Sequence, residues 1–222
     1  MKQMLLLFLF AAQILNASII LKEHEQWWEA KCIEKEKFEL FAGWIGGEDE
    51  LSRIAMRTHV QKKNYQSLLD IPCGLCVDYA PLKRNNDKMS YAGVDITPSF
   101  VERGQKLQIP VIQGKIQNIP FKDSSFEVAY SRHILEHLDT YTEAIKELVR
   151  VASKEVIIIF FIIPSNNDSD LIVTGPVDGY PIYHNRYSRF KIESFLNGIE
   201  KVKGYSWEHV PHTTECILHI IL

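Results

Sequence analysis

A chain of 222 residues with 25 lysines and arginines against 28 aspartates and glutamates can bury one sizeable core and has no bulk charge with which to grip a polyanion. Its 46 % hydrophobic content and net charge of −3 argue against a disordered chain and against a nucleic-acid-binding domain. Cys32, Cys73, Cys76 and Cys216 are too sparse for a disulfide scaffold and fix no compartment.

The first eighteen residues, MKQMLLLFLFAAQILNAS, join one early lysine to an apolar run and to small residues at Ala17 and Ser18, as a secretory leader does. The expectation is either a leader of residues 1–18 that is cleaved, or an apolar helix that associates with a membrane through residues 4–15. Gln13 and Asn16 interrupt the run too soon for a comfortable membrane span. N-x-S/T matches at Asn16 and Asn167 carry weight only in a secreted chain.

From 23 to 40 the sequence is charged and aromatic with rough helical spacing, including Trp27, Trp28, Phe38 and Leu40. Glycines at 43, 46 and 47 break it, and a second helix is expected over 49–62. This gives a helical extension over 19–63. Beyond Tyr65 short apolar runs alternate with helical segments. Strands are expected at 67–71, 91–96, 110–114, 126–131, 155–163, 203–210 and 215–222, and helices at 77–84, 98–107, 133–152 and 189–197. The predicted fold is α/β, a Rossmann-like doubly wound seven-stranded mostly parallel sheet with helices on both faces, over 64–222. In such a sheet the ligand lies beyond the carboxyl ends of the strands.

The first strand runs into LLDIPCGLCVD, and YAGVDI places Asp95 at the end of the second, 25 residues after Asp70. A tight turn lets backbone approach a ligand, and a carboxylate ending strand two can accept from both hydroxyls of a ribose. Further on, SRHILEHL spells H-x-x-E-H with His133, Glu136 and His137. On a helix that spacing sets two imidazoles and a carboxylate on one face, as in a zinc peptidase.

LLDIPCG, YAGVDI and, above all, IQGKIQNIPFKDSSFEVAYSRHILEHL, continued to VRVASKEVIIIFF, resemble the class I S-adenosylmethionine-dependent methyltransferases of small-molecule type. The resemblance covers about 67–161. It implies S-adenosylmethionine as cofactor, with Asp70 and the Pro72, Cys73, Gly74 turn cradling its methionine part and Asp95 holding the ribose. Ile96 and Ile116 would lie on the adenine faces, and Ser131 with Arg132 would line the floor. His133 would open the helix after strand four, facing the pocket, with Glu136 and His137 mainly structural. Two departures stand out. Pro72 and Cys76 occupy usual glycine positions, and Lys115 stands where an acid meets the adenine amino group, leaving backbone or Gln117 to do so, since lysine cannot accept a hydrogen bond.

The rival readings are a methyltransferase-fold protein that binds a nucleoside or a partner without catalysis, a zinc hydrolase using HILEH with Glu193 or Glu208 as third ligand, and a thioredoxin-like pair at Cys73 and Cys76. Methyl transfer needs alignment and, for a protonated acceptor, a base. The candidates are His133 and, in the long polar loop 164–189, Tyr183 and His184. His184, Arg186, Tyr187 and Arg189 would suit an acceptor bearing oxygen or negative charge, and Arg53 or Arg57 could reach the cofactor carboxylate. A small-molecule acceptor is expected, with no nucleic acid and no metal. The leader points to a secretory or membrane-associated protein, the cofactor to a cytoplasm-facing one.

Overall fold

The computed structural model describes residues 21–33, 42–43 and 45–222. The apolar leader and the second half of the 23–40 segment fall outside the described residues. No helix among the described residues is long and apolar enough to cross a membrane.

The chain runs α1 (Glu23–Ile33), α2 (Leu51–Lys62), β1 (Ser67–Asp70), α3 (Tyr79–Asn85), β2 (Ser90–Asp95), α4 (Pro98–Lys106), β3 (Val111–Gln113), β4 (Phe126–Arg132), α5 (Thr142–Val151), β5 (Ala152–Phe160), β6 (Thr174–Val177), β7 (Tyr180–Tyr183), α6 (Arg189–Asn197), β8 (Gly204–His209) and β9 (Cys216–Ile221). Seven strands form one sheet in the order β3-β2-β1-β4-β5-β9-β8. The first five are parallel, in register Leu69↔Ala92 and Leu69↔Ala129, while β9 runs antiparallel to β5 and to β8. The strand order reverses between β1 and β4, so the cleft outside their carboxyl ends is the switch point of the fold.

Both faces of the sheet are covered, which is why its central strands read as continuous apolar runs rather than alternating ones. On one face Ala144, Ile145, Leu148 and Val149 of α5 and Ile192 and Leu196 of α6 pack on Leu69, Ala129, Val156 and Ile158. On the other, Met56 and Val60 of α2 and Leu82 of α3 meet Leu68, Val128, Tyr130 and Ile157. Local chemistry sets the helix ends. Pro98 begins α4, where its missing N–H costs nothing. Ser188 caps α6 by accepting from the Lys191 amide at 3.2 Å. The Lys201 ammonium closes α5 by donating to the carbonyls of Val149 at 2.8 Å and Arg150 at 3.2 Å.

Two expectations are corrected. The helix expected from His133 begins only at Thr142: His133 sits at φ +56, a single 3-10 turn spans Leu135–His137, and Leu138 is extended at φ −98, ψ 154. The reason lies at Glu136, whose buried carboxylate accepts from the amides of Phe161 at 2.7 Å and Ile162 at 3.1 Å, pinning the segment to the end of β5 before a helix can start. The 164–189 loop, read as irregular, holds the hairpin β6–β7, closed by Asp178 and Gly179, both at positive φ.

Candidate functional site

A cavity of 550 Å³ opens beyond the carboxyl ends of β1, β2 and β4, a size that suits a cofactor with an acceptor. Its lining includes Asp70, Pro72, Cys73, Gly74, Asp95, Ile96, Arg132, His133 and His184. It continues into a narrow slot lined by Glu25, Lys115, Ile116, Gln117 and Leu138; Trp28, Pro72, Asp95, Ile96, Ile134 and His137 border both spaces.

The loop after β1 wraps around Asp95. One carboxylate oxygen accepts the Gly74 amide at 2.7 Å and the other the Thr97 amide at 2.9 Å. The Thr97 side chain and the Ile96 backbone add further hydrogen bonds to the same carboxylate. Burial raises the pKa of Asp95, and those amides oppose the rise. Gly74 stands at φ +50, where a side chain would strain the turn. Two more of the loop amides are spent within the protein: Cys73 N–H goes to the Val94 carbonyl and Cys76 N–H to the Cys73 carbonyl. Pro72 therefore forfeits little by lacking a donor.

Cys76 fits by turning away. It adopts φ +54 and packs with Cys73, Val101 and Val111 beneath the loop. Gly93 makes room, since a Cβ there would stand 2.9 Å from Cys73 Sγ. Burial, with Cys76 and nearby carboxylates adding, pushes the Cys73 thiol well above its ordinary range, the opposite of an activated redox thiol.

At the end of β1, Asp70 is buried and accepts from the Tyr91 hydroxyl at 2.7 Å. Burial and Asp78 push its pKa up to about 8, against the Tyr91 hydrogen bond and Arg53. Arg53 and Arg57 both clasp the fully buried Asp78. Only Arg53 borders the cavity, and Arg57 lines a different hollow. Arg53 Nε and the Tyr130 hydroxyl are buried with no hydrogen-bond partner among the described residues, and both residues line the cavity.

Arg132 and His133 converge on Glu215, which sequence reasoning missed. Arg132 donates to its carboxylate at 2.9 Å and to the Ile45 carbonyl at 3.1 Å; His133 Nε2 contacts the same oxygen. Burial works against the Glu215 carboxylate, but the His133 hydrogen bond and the Arg132 charge outweigh it and hold its pKa near 2. Burial lowers the His133 pKa, with the Glu215 hydrogen bond opposing. Burial also brings His137 down to about 4, although its Nδ1 meets the Tyr183 carbonyl at 2.7 Å.

Not every expected residue reaches the site. Strand alternation takes Ser131 to the face opposite Tyr130 and Arg132; it borders neither space, and its buried hydroxyl has no partner among the described residues. The Tyr183 side chain is not among the lining residues, and Tyr183 meets the site through its carbonyl. Arg186 donates to the Ile163 carbonyl at 3.1 Å, Tyr187 is buried against Tyr141, and Arg189 pairs with Glu193 at 2.8 Å, so none of the three joins the cavity. The H-x-x-E-H residues diverge to separate partners and make no metal cluster among the described residues.

Further residues that the sequence did not single out complete the walls. Trp27, Phe100, Phe161, Val177 and Ile182 give the large cavity an apolar side. Glu25 of α1 meets Lys115 Nζ at 2.7 Å beside the slot. The only signal for Glu25 was the lysine standing where a carboxylate is usual.

Residues 69–160 match the family model described as a methyltransferase domain. A demethylmenaquinone methyltransferase of Corynebacterium kroppenstedtii is 26 % identical over 106 residues, 48 % of this chain and 45 % of that protein. An ajmaline N-methyltransferase of Rauvolfia serpentina is 27 % identical over 106 residues, 44 % of this chain and 36 % of that one. The chain thus covers less than half the length of either relative. The crystal structure of a Pyrococcus horikoshii OT3 protein, PH0226, superposes with a TM-score of 0.63 at 16 % identity, covering 85 % of this chain and 99 % of that one. With the sheet order and the switch-point cleft, the family-model match makes residues 69–160 a class I S-adenosylmethionine-dependent methyltransferase domain.

Proposed function

We propose that the protein transfers the methyl group of S-adenosylmethionine to a small acceptor bearing a protic nucleophile on an apolar or aromatic frame. The observation that carries this reading is the continuous cleft, in which an oriented carboxylate, an apolar slot and two orphaned polar atoms stand in the order that the cofactor's parts require. Asp95 would take the ribose hydroxyls. Ile96 and Ile116 would sandwich the base, with Trp28 beside it. Arg53 Nε and the Tyr130 hydroxyl would meet the amino acid end; a bound carboxylate there would satisfy both, and an unpaired buried polar group otherwise costs about 1–3 kcal/mol. Glu25 would supply the acceptor for the adenine amino group that Lys115 cannot, the lysine serving to hold Glu25 in place.

When bound, the cofactor supplies a methyl group already activated by its sulfonium. The chain has to align the acceptor, exclude water and take a proton. Trp27, Phe100, Phe161 and Ile182 form a dry wall for an apolar acceptor. His133, donating its Nε2 proton to Glu215, keeps Nδ1 as the lone-pair nitrogen that could accept the acceptor's proton. His184 borders the same space. Both curated relatives carry the names of methyltransferases acting on small molecules, which supports this acceptor class over a macromolecule.

The test is calorimetric titration of the full chain with S-adenosylmethionine and S-adenosylhomocysteine. Saturable 1:1 binding is expected, weakened at least tenfold in Asp95→Ala and in Glu25→Gln. A folded protein that binds neither ligand would overturn the reading. Binding without transfer to any acceptor in a screen of phenols, amines and quinols would convert it to a noncatalytic one.

A further inference from the structure

Elsewhere in the molecule, three residues distant in sequence converge on one point. His59 of α2, Glu155 of β5 and His219 of β9 present ligand-type atoms that all lie within 4.8 Å of one another. His59 Nε2 stands 2.9 Å from Glu155 Oε2 and His219 Nδ1 stands 2.8 Å from Glu155 Oε1. Glu155 is fully buried and His219 nearly so, while His59 keeps 24 % of its side chain exposed and opens a route from solvent.

We infer that His59, Glu155 and His219 form a binding site for a divalent transition-metal ion of the zinc class, remote from the cofactor cavity. Three arguments converge. First, the donor set is right: two imidazole nitrogens and a carboxylate suit zinc, with a fourth position left for water, and tetrahedral ligands about 2.0–2.1 Å from the metal stand roughly 3.3 Å apart, within the spread seen here. Second, the surroundings hold the ligands in place. The Tyr65 hydroxyl donates to Glu155 at 2.6 Å, and the second nitrogen of His219 faces Glu208 at 3.4 Å, the carboxylate–histidine arrangement that fixes a metal-binding imidazole. Third, no permanent cation competes with a metal for the carboxylate. The buried acids Asp78 and Glu215 each have a guanidinium partner, whereas the ion-pair partners of Glu155 are both imidazoles. Contacts with Tyr65, His59 and His219 favour the ionised form of Glu155, so a divalent ion would meet an anionic ligand there.

The role is that of a clip. It would tie α2 to β5 and β9, and α2 carries Arg53, six residues before His59 and about 9 Å along the helix, so the metal would stiffen one wall of the cofactor cavity without touching the reacting atoms.

To test this, the full chain is stripped with a chelator, titrated with zinc chloride by calorimetry and melted with and without zinc. One zinc per chain and a raised melting temperature are expected. Both should vanish in His59→Gln and in His219→Gln, and affinity should fall 10- to 100-fold in Glu208→Gln, while the double variant His133→Gln, His137→Gln keeps full stoichiometry. A folded chain that takes up no stoichiometric zinc overturns the site. So does zinc binding that survives His59→Gln and His219→Gln, or that is lost only when the cavity histidines are replaced.

Discussion

Strands β5 and β9 carry a carboxylate cluster near each end of their pairing, and the two clusters are built from similar residues to different effect. At the cavity end Glu215, next to Cys216, which pairs with Phe160, is held by Arg132 and His133. Toward the other end Glu155 is held by His59, His219 and Tyr65. The first includes a guanidinium, a permanent cation. The second has no guanidinium, and its imidazoles face the carboxylate as ligands would. The difference shows that neighbours in a motif are a poor guide to convergence: His133, Glu136 and His137 lie within five residues and part company, while residues 59, 155 and 219 meet.

The strongest way to break this contrast is to remove the guanidinium. Arg132→Met leaves Glu215 buried without its cation and should cost about 3–5 kcal/mol in urea unfolding; a loss below about 1 kcal/mol would mean that the guanidinium does not set the cavity-end cluster apart from the other. In metal-free protein, His59→Gln removes one of three partners of Glu155, and a cost of about 1–3 kcal/mol is expected by the same measurement. A cost matching that of Arg132→Met would erase the distinction.

Acidity sharpens the comparison further. Glu215, with a pKa near 2, contributes stability that is present above its unfolded value of about 4.5 and is lost as pH falls toward 2. Asp70 has the opposite sign. Its pKa near 8 lies above its unfolded value of 3.8, so its favourable contribution is complete below that unfolded value and is lost as pH rises through 8. Asp70→Asn removes this loss, and its melting temperature relative to the parent should climb between pH 5 and pH 8, by on the order of 2–4 °C for each kcal/mol regained. A difference that stays flat across that range would show that Asp70 does not titrate there. The smallest effect is expected at the exposed pair of Lys146 and Glu143, where Lys146→Ala should change stability by less than about 0.5 kcal/mol.

The sheet was legible because buried parallel strands are apolar along their whole length, as EVIIIFFII is, and because Asp70 and Asp95 end strands whose neighbours in sequence are equally readable. Its boundaries were less so: β5 begins at Ala152 and stops at Phe160, since Glu136 takes the amides of Phe161 and Ile162. That intervention comes from a carboxylate 25 residues away and leaves no local trace. The hairpin β6–β7 was missed because TGPVDGYPIY has prolines and glycines where strands usually lack them. At the site, residues that precede or follow a strand were found, Asp95 and His133 among them. Glu25, Tyr130 and Glu215 were not, because each matters only through a partner distant in sequence, and Ser131 was misplaced by the two-residue alternation that a strand imposes.

The turn of the hairpin ties together elements far apart in the chain. Asp178 accepts from Trp27 Nε1 at 3.3 Å and pairs with Lys31, so α1 and the hairpin, about 150 residues apart in the chain, are fastened to each other above the cleft. Glu29 fastens the same helix to the start of α4 by accepting from the Ser99 amide and hydroxyl at 3.1 and 2.6 Å. One carboxylate at the hairpin turn and one on α1 thus couple three elements around the mouth of the cavity, so that Asp178 is a single point at which the hairpin and α1 can be uncoupled.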